Sequence, residues 1–160
     1  MLKRRLLLNN KKGFSYIEIL VTLSLMGMLA ASIFPITKLI ANYEKEKQLK
    51  LSLMEIRGAI DRYKAASDNN LIPDTYKTES GYPPNLHILL GVESTNNGKV
   101  IRFLRRIPED PFYKSNEDVY SWGLRSYATD NKSPEYKEDV YDVYSRSNLV
   151  GSNGLKYSQW

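Results

Sequence analysis

A single apolar stretch near the start of the chain limits what this sequence can fold into. Residues 14–36 contain one charged side chain, Glu18, and residues 19–37 contain none. About 20 such residues form a helix that is long enough to cross the hydrocarbon core of a bilayer. Residues 1–13 precede the stretch and hold five basic residues and no acidic residue. This charge pattern predicts that the N-terminus stays in the cytoplasm and that the C-terminal part is exported.

A cleaved secretory signal peptide is the simplest alternative for this stretch. Signal peptides have a shorter apolar core that is followed by a cleavage site of small residues. Residues 30–32, Ala-Ala-Ser, are a weak candidate for such a site, because apolar residues continue beyond them. An uncleaved membrane anchor fits the length better but does not explain Glu18. A carboxylate inside a membrane helix costs about 2.5 kcal/mol or more, and the helix dipole offsets part of that cost in the first turn.

The residues that surround Glu18 resemble a known processing signal. Residues 11–18 read Lys-Lys-Gly-Phe-Ser-Tyr-Ile-Glu, and the apolar stretch that follows contains Pro35. This pattern resembles the class III signal of type IV pilins and of the pseudopilins of type II secretion systems. The resemblance implies that a prepilin peptidase cuts between Gly13 and Phe14 and methylates the new amine of Phe14. It also implies roles in filament assembly for Glu18, as the partner of that amine on a neighbouring subunit, and for Pro35, which bends the helix.

Helix-forming residues continue beyond the apolar stretch as far as residue 66. Five apolar residues in this part are spaced alternately by four and three positions, which is typical of one face of a helix. They are Leu49, Leu53, Ile56, Ile60 and Tyr63. Residues 67–70, Ser-Asp-Asn-Asn, predict the end of the helix. The pattern indicates a helix of roughly 80 Å whose second half packs on the rest of the chain.

The residues beyond the helix predict turns, short elements and a small antiparallel sheet. Residues 84–91 predict a short helix, whereas residues 99–107 fit either a helical turn or an extended segment. Residues 120–128 and 139–145 alternate in polarity and predict two strands joined by an exposed loop, and residues 157–160 fit a short closing strand. The predicted fold class is α+β, with a long helix (half membrane-spanning, half amphipathic) packed on the small sheet, as in pilins.

The C-terminal half resembles the major, G-type pseudopilins of type II secretion systems. Residues 107–112, Ile-Pro-Glu-Asp-Pro-Phe, and residues 141–145, Tyr-Asp-Val-Tyr-Ser, match motifs of that family, as does Trp160. The resemblance divides the chain into a cleaved basic leader at 1–13, a transmembrane and assembly half of the helix at 14–37, and a periplasmic pilin-like domain at 38–160.

Pseudopilins of this family commonly bind calcium in the C-terminal loop. The matching positions in this chain are Asp142, Asn148 and Asn153, so the resemblance implies a calcium site that has only one carboxylate. Calcium takes about six to eight oxygen ligands, and carboxylates are usually among them. Amides and carbonyls alone bind it more weakly. Hydrogen bonds across the loop are the alternative way to order it, and no other cofactor is predicted.

The resemblance to pseudopilins implies a structural subunit that is not an enzyme. The subunit is expected in the bacterial inner membrane, with its N-terminus cytoplasmic and its C-terminal domain periplasmic. After processing by the prepilin peptidase, it is expected to be extracted into a helical periplasmic homopolymer that drives type II protein secretion. Other pseudopilins and the inner-membrane platform proteins are the further partners that the resemblance implies. The alternative is a type IV pilus or competence pilin that serves adhesion, motility or DNA uptake.

Nucleic-acid binding and catalysis have little support in the sequence. The formal net charge of +5 lies wholly in residues 1–13, because residues 14–160 carry 18 basic and 18 acidic side chains. That balance provides no basic stripe for a nucleic-acid backbone. The absence of cysteine excludes thiol catalysis and thiolate zinc sites. His87 is the only histidine, and no nucleophile or metal-ligand spacing accompanies it, which disfavours a membrane-anchored hydrolase.

Overall fold

The computed structural model describes residues 13–96, 98–113, 121–130 and 134–160, and of residues 32–36 it describes the backbone alone. The architecture is α+β: one long helix, α1 (Tyr16–Asp68), is followed by 3₁₀ turns and short antiparallel strands. The chain divides into two units, residues 1–41 and residues 42–160.

The first unit is described from residue 13 onward and consists of the beginning of α1. Every side chain of residues 13–31 is exposed, and the apolar Phe14 and Leu29 are 78% and 71% exposed. Within the described residues, no helix combines the length and the apolar character that a membrane crossing requires. The predicted transmembrane segment, 14–37, includes residues 32–36, whose side chains lie outside the described residues.

The part of α1 in the second unit forms one side of the core. The five stripe residues, from Leu49 to Tyr63, are between 0% and 2% exposed, so the predicted apolar stripe is confirmed. Burial of each such side chain stabilises the fold by about 1.5–3 kcal/mol. The predicted end of the helix is also confirmed, because α1 ends at Asp68. Asn70 follows with a φ of 56°, a left-handed conformation that asparagine adopts more readily than most residues.

A 3₁₀ helix and a short hairpin cover part of the apolar face of α1. The 3₁₀ helix Leu86–Leu90 lies where residues 84–91 predict a helix, and the side chain of Asn85 caps it by accepting from the Ile88 amide at 3.2 Å. Leu86 and Leu89 are fully buried in the core. Two short strands then pair antiparallel, β1 (Val92–Glu93) and β2 (Val100–Ile101). The segment 99–107 therefore contains a strand and not a helical turn.

The second hairpin is formed by β3 (Trp122–Arg125) and β4 (Asp142–Ser145), which pair antiparallel with Trp122 opposite Ser145. Both strands lie inside the predicted ranges but are shorter, and residue 120 lies outside the described residues. The ladder stops where side chains replace backbone partners. The Ser126 hydroxyl donates to the Asp139 carbonyl at 2.7 Å, and the Tyr127 amide donates to the Asp139 carboxylate at 2.9 Å.

The C-terminal residues form a 3₁₀ turn, Tyr157–Gln159, so the prediction of a closing strand is wrong. The amide of Gln159 donates to the Lys156 carbonyl at 2.9 Å, and that of Trp160 donates to the Tyr157 carbonyl at 3.2 Å. These local bonds occupy groups that a strand would present to a neighbour. The last side of the core comes from this turn and the second hairpin, namely Trp122, Val140, Val143 and Tyr157.

Candidate functional site

The predicted processing and assembly residues lie at the N-terminal end of α1. Gly13 and Phe14 precede the helix, and both are exposed. Glu18 is also exposed and lies in the first turn, where the positive end of the helix dipole stabilises a carboxylate. Pro35 lies within α1, but its side chain is outside the described residues, as are residues 1–12 of the predicted leader. The cleavage, methylation and assembly roles of these residues stay predictions.

The second group of predicted site residues consists of Asp142, which begins β4, and of Asn148 and Asn153, which follow that strand. Asp142, the only acidic residue in that set, is held between two guanidinium groups. Arg57 on α1 donates from Nε to Asp142 Oδ1 at 2.7 Å, and Arg125 on β3 donates from Nη2 to Oδ2 at 3.0 Å. Oδ1 also accepts the amide of Val143 at 2.8 Å. Both carboxylate oxygens therefore have charge-assisted partners inside the protein.

The other two positions contribute little to a common site with Asp142. The side chain of Asn153 accepts the amide of Leu155 at 3.1 Å and so stabilises its own turn. Asn148 is exposed. Within the described part of the chain, no three acidic or histidine side chains are grouped as metal ligands.

Arg57 connects three parts of the second unit. Besides Asp142, its Nη2 donates to the Val143 carbonyl at 3.1 Å and to the Trp160 carbonyl at 2.8 Å. The guanidinium therefore fastens β4 and the C-terminal residue to the same point on α1. A planar guanidinium suits this geometry because its donors point in fixed, diverging directions.

Glu46 forms a second connection between α1 and the C-terminal loop. Its Oε1 accepts the Ser152 amide at 2.8 Å and the Tyr157 hydroxyl at 3.0 Å, and its Oε2 accepts the Ser152 hydroxyl at 2.5 Å. The residue is only 6% exposed. A buried carboxylate is stable only when hydrogen bonds or charges replace its lost hydration, and here three donors do so.

The electrostatics of this cluster favour an ionised Glu46. Burial acts to raise the pKa of Glu46, but the hydrogen bonds from Ser152 and Tyr157, with the charge of Lys50, hold that pKa below the ordinary value of 4.5. Burial and the adjacent carboxylate of Glu46 raise the pKa of Tyr157 to about 12. The pair is therefore a carboxylate and a neutral phenol over a wide range of pH.

Sequence reasoning missed Glu46 and Arg57, although one signal was present. Glu46 lies three positions before Leu49, so it continues the spacing of the apolar stripe. A lone acid in register with a buried stripe indicates a buried carboxylate that needs donors. Arg57 has no such signal, because its partners lie 85 to 103 positions further along the chain.

His87 lies beside a cleft of about 600 Å³ in the second unit, which Arg105, Arg106 and Glu109 also line. In the described residues, no hydrogen bond joins His87 to a hydroxyl nucleophile or to a carboxylate.

Comparison with known proteins gives one consistent result. The chain is 30% identical over 107 residues to type II secretion system core protein G of Klebsiella pneumoniae, covering 66% of this chain and 71% of the relative. It is 30% identical over 135 residues to the protein of the same name from Pectobacterium carotovorum subsp. carotovorum, covering 83% and 75%. The protein of that name from Dickeya chrysanthemi is 26% identical over 158 residues, covering 90% and 95%. No family model matches the chain, and no solved structure matches it significantly.

Proposed function

The chain belongs to the family of type II secretion system core protein G, and from this premise we propose that it is a pseudopilin, a structural subunit that polymerises in type II protein secretion. The observation that carries the proposal is this family relationship, which extends over 83% of the chain in one relative. The shared name also favours secretion over the alternative of a pilus or competence pilin. In this role the chain acts by assembling and performs no catalytic step of its own.

The N-terminal end of α1 supports this role chemically. Phe14 is 78% exposed, and Glu18 is exposed four residues later. If the peptide bond between Gly13 and Phe14 is cut, Phe14 gains a positively charged amine. That amine on one subunit and Glu18 on its neighbour form a charge-assisted pair, and an apolar surrounding makes such a pair strongly preferred over two separate charges.

The exposed apolar side chains of the first unit support assembly as well. An apolar surface of this kind on a single chain marks a place where lipid or another protein covers it. We place residues 14–37 in the inner membrane before assembly, with residues 38–160 in the periplasm, and in a bundle of neighbouring helices afterwards. Identical head-to-tail contacts that do not close into a ring generate an open helical filament. Other pseudopilins and the inner-membrane platform are the further partners in this scheme.

Filament formation by the full chain tests the proposal. The chain is produced in cells that contain a type II secretion system, and sheared surface filaments are counted by electron microscopy and immunoblotting. We expect filaments from the wild type and at least about tenfold fewer from Glu18→Gln, which removes the charge but keeps the size. Membrane insertion and processing of Glu18→Gln should be unchanged.

Glu44→Gln is the matched control, because Glu44 is an exposed acid on the same helix. Its filament yield should equal that of the wild type. Normal filaments from Glu18→Gln would refute the pairing with the Phe14 amine. A wild-type chain that is processed and stable but neither forms filaments nor restores secretion to a strain without its own major subunit would refute the function.

A further inference from the structure

The C-terminal segment, residues 147–160, is closed by its own backbone hydrogen bonds. The Gly151 amide donates to the Leu155 carbonyl at 2.8 Å, and the Tyr157 amide donates to the Leu149 carbonyl at 3.0 Å. The Gly154 amide completes the turn by donating to the Gly151 carbonyl at 3.0 Å, and Gly154 has a φ of 79°, which glycine adopts without strain. The segment therefore has a defined turn before any ligand is considered.

Glu46 provides the donors at the tip of this turn with their acceptor. The Ser152 amide and hydroxyl both donate to its carboxylate, and the Tyr157 hydroxyl is the third donor. The charged group that faces the carboxylate from α1 itself is Lys50. Without Glu46, the buried Tyr157 hydroxyl would lose its acceptor, and the amide of the exposed Ser152 would bond to water instead.

Aromatic packing and Arg57 attach the end of the segment to α1. A methyl group on Gly151 would lie 2.4 Å from Cζ2 of Trp160, so the indole ring packs directly on the glycine backbone. The ammonium of Lys50 lies 4.7 Å from the centre of the same ring, which is a cation–π distance. The Trp160 carbonyl accepts from Arg57 at 2.8 Å. The last residue of the segment is thus held on both its backbone and its side chain.

The residues of this loop do not fit the calcium site that the family resemblance implies. Calcium prefers several oxygen ligands with carboxylates among them. The only carboxylate in the implied set, Asp142, is already bound by the guanidinium groups of Arg57 and Arg125. A cation at that carboxylate would face two positive charges, and the Asn153 oxygen is already bonded to the Leu155 amide.

We propose that the C-terminal segment of this chain is ordered by two side chains of α1, Glu46 and Arg57, in place of a calcium ion. The carboxylate of Glu46 accepts the hydrogen bonds that hold the turn on α1. Arg57 binds the carboxylate of Asp142, which a calcium ion would need as a ligand. The inference goes beyond the proposed function, because it concerns the folding of a single subunit and holds whether or not filaments form.

The test measures the thermal stability of the full chain in a mild detergent, followed by tryptophan fluorescence, which reports on Trp122 and Trp160. Calcium chloride at about 10 mM exceeds the dissociation constants of weak extracellular calcium sites, about 10⁻³ M. We expect the wild-type Tm to be the same, within about 1 °C, in that calcium concentration and in excess EGTA. Glu46→Gln should lower Tm by at least about 4 °C under both conditions, because one of its acceptor oxygens becomes a donor.

Glu44→Gln removes the same charge from the exposed face of α1 and should leave Tm unchanged. A rise in the wild-type Tm of several degrees with calcium would overturn the inference, as would a Glu46→Gln protein with wild-type stability. If the Glu46→Gln protein does not fold, amide hydrogen exchange of the wild-type protein, measured in calcium and in EGTA, provides the test instead. Protection of the Gly151 and Ser152 amides should be equal in calcium and in EGTA, and loss of that protection in EGTA would overturn the inference. None of these results depends on filament formation, so the two proposals fail separately.

Discussion

Replacement of Arg57 by alanine tests whether the guanidinium holds the second unit together. The substitution removes three hydrogen bonds, to Asp142 Oδ1 at 2.7 Å, to the Trp160 carbonyl at 2.8 Å and to the Val143 carbonyl at 3.1 Å. A single hydrogen bond to a charged group contributes about 1.5–3 kcal/mol to stability. The stability lost with all three bonds is less than three times that value, because the Arg57 side chain is 38% exposed. In the substituted protein, water can hydrogen-bond to some of the acceptors that Arg57 leaves.

The carboxylate left behind also limits the cost of this substitution. Asp142 keeps its bonds to Arg125 at 3.0 Å and to the Val143 amide at 2.8 Å, so no buried charge is left without a partner. We therefore expect Arg57→Ala to lower the free energy of unfolding by about 2 kcal/mol, which corresponds to a Tm about 4–8 °C lower for a chain of this size. Arg57→Lys should recover less than half of the loss, because one ammonium cannot reach three acceptors in different directions.

Urea unfolding of the full chain, followed by tryptophan fluorescence, measures these differences. Arg106→Ala is the matched control, because Arg106 is exposed, and its free energy of unfolding should lie within about 0.5 kcal/mol of the wild type. An Arg57→Ala protein as stable as this control would refute the role of Arg57 as a connector. Full recovery by Arg57→Lys would show that a positive charge is sufficient and that the guanidinium geometry is not required.

Two further predictions concern the hairpin and the buried tyrosines. A Cβ atom at Gly123 would lie 2.3 Å from Cζ of Tyr144 on the facing strand, so Gly123→Ala should destabilise by about 1–3 kcal/mol in urea unfolding. Gly58→Ala, which meets only ordinary contacts on α1, should stabilise by up to about 1 kcal/mol, and equal effects of the two substitutions would contradict the packing. Burial raises the pKa of Tyr63 to about 12, and burial with Glu46 raises that of Tyr157 to about 12, from an ordinary value of 10.0. As the pH rises, both tyrosines therefore ionise in the unfolded chain before they ionise in the folded one. Their contribution to the free energy of unfolding is fully present below pH 10 and falls between pH 10 and pH 12, by at most about 1.4 kcal/mol per pH unit for each tyrosine. Tyr157→Phe should flatten this dependence in urea titrations, and an unchanged slope would contradict the assignment.

The parts of the fold that could be predicted are those that local patterns determine. The spacing of Leu49, Leu53 and Ile56 identifies the buried face of α1 without any knowledge of the residues that cover it. The structure confirms that these three side chains are buried. The end of α1 near Asn70 follows from residues that favour turns. The strand positions follow from alternation, whereas their lengths depend on Ser126 and Asp139, whose side chains replace the backbone ladder.

The connections of the C-terminal segment could not be predicted in the same way. Glu46 bonds to Ser152 across 106 positions, and Arg57 bonds to Trp160 across 103. Periodicity within a segment carries no information about donors so far away. The calcium ligands follow only from positions that match the family, and Asp142 is such a match. The sequence does not reveal that Arg57 and Arg125 lie beside Asp142 and bind its carboxylate.

The mass of the mature N-terminus tests the central claim, that the chain enters a filament as a processed pseudopilin. The full chain is produced together with a prepilin peptidase, extracted from the membrane fraction and analysed by intact mass spectrometry with N-terminal fragmentation. We expect a chain that lacks residues 1–13 and begins with Phe14 carrying one methyl group on its amine. A chain that retains Met1 in the presence of active peptidase, or one cut near Ser32 as a secretory signal would be, would contradict the claim.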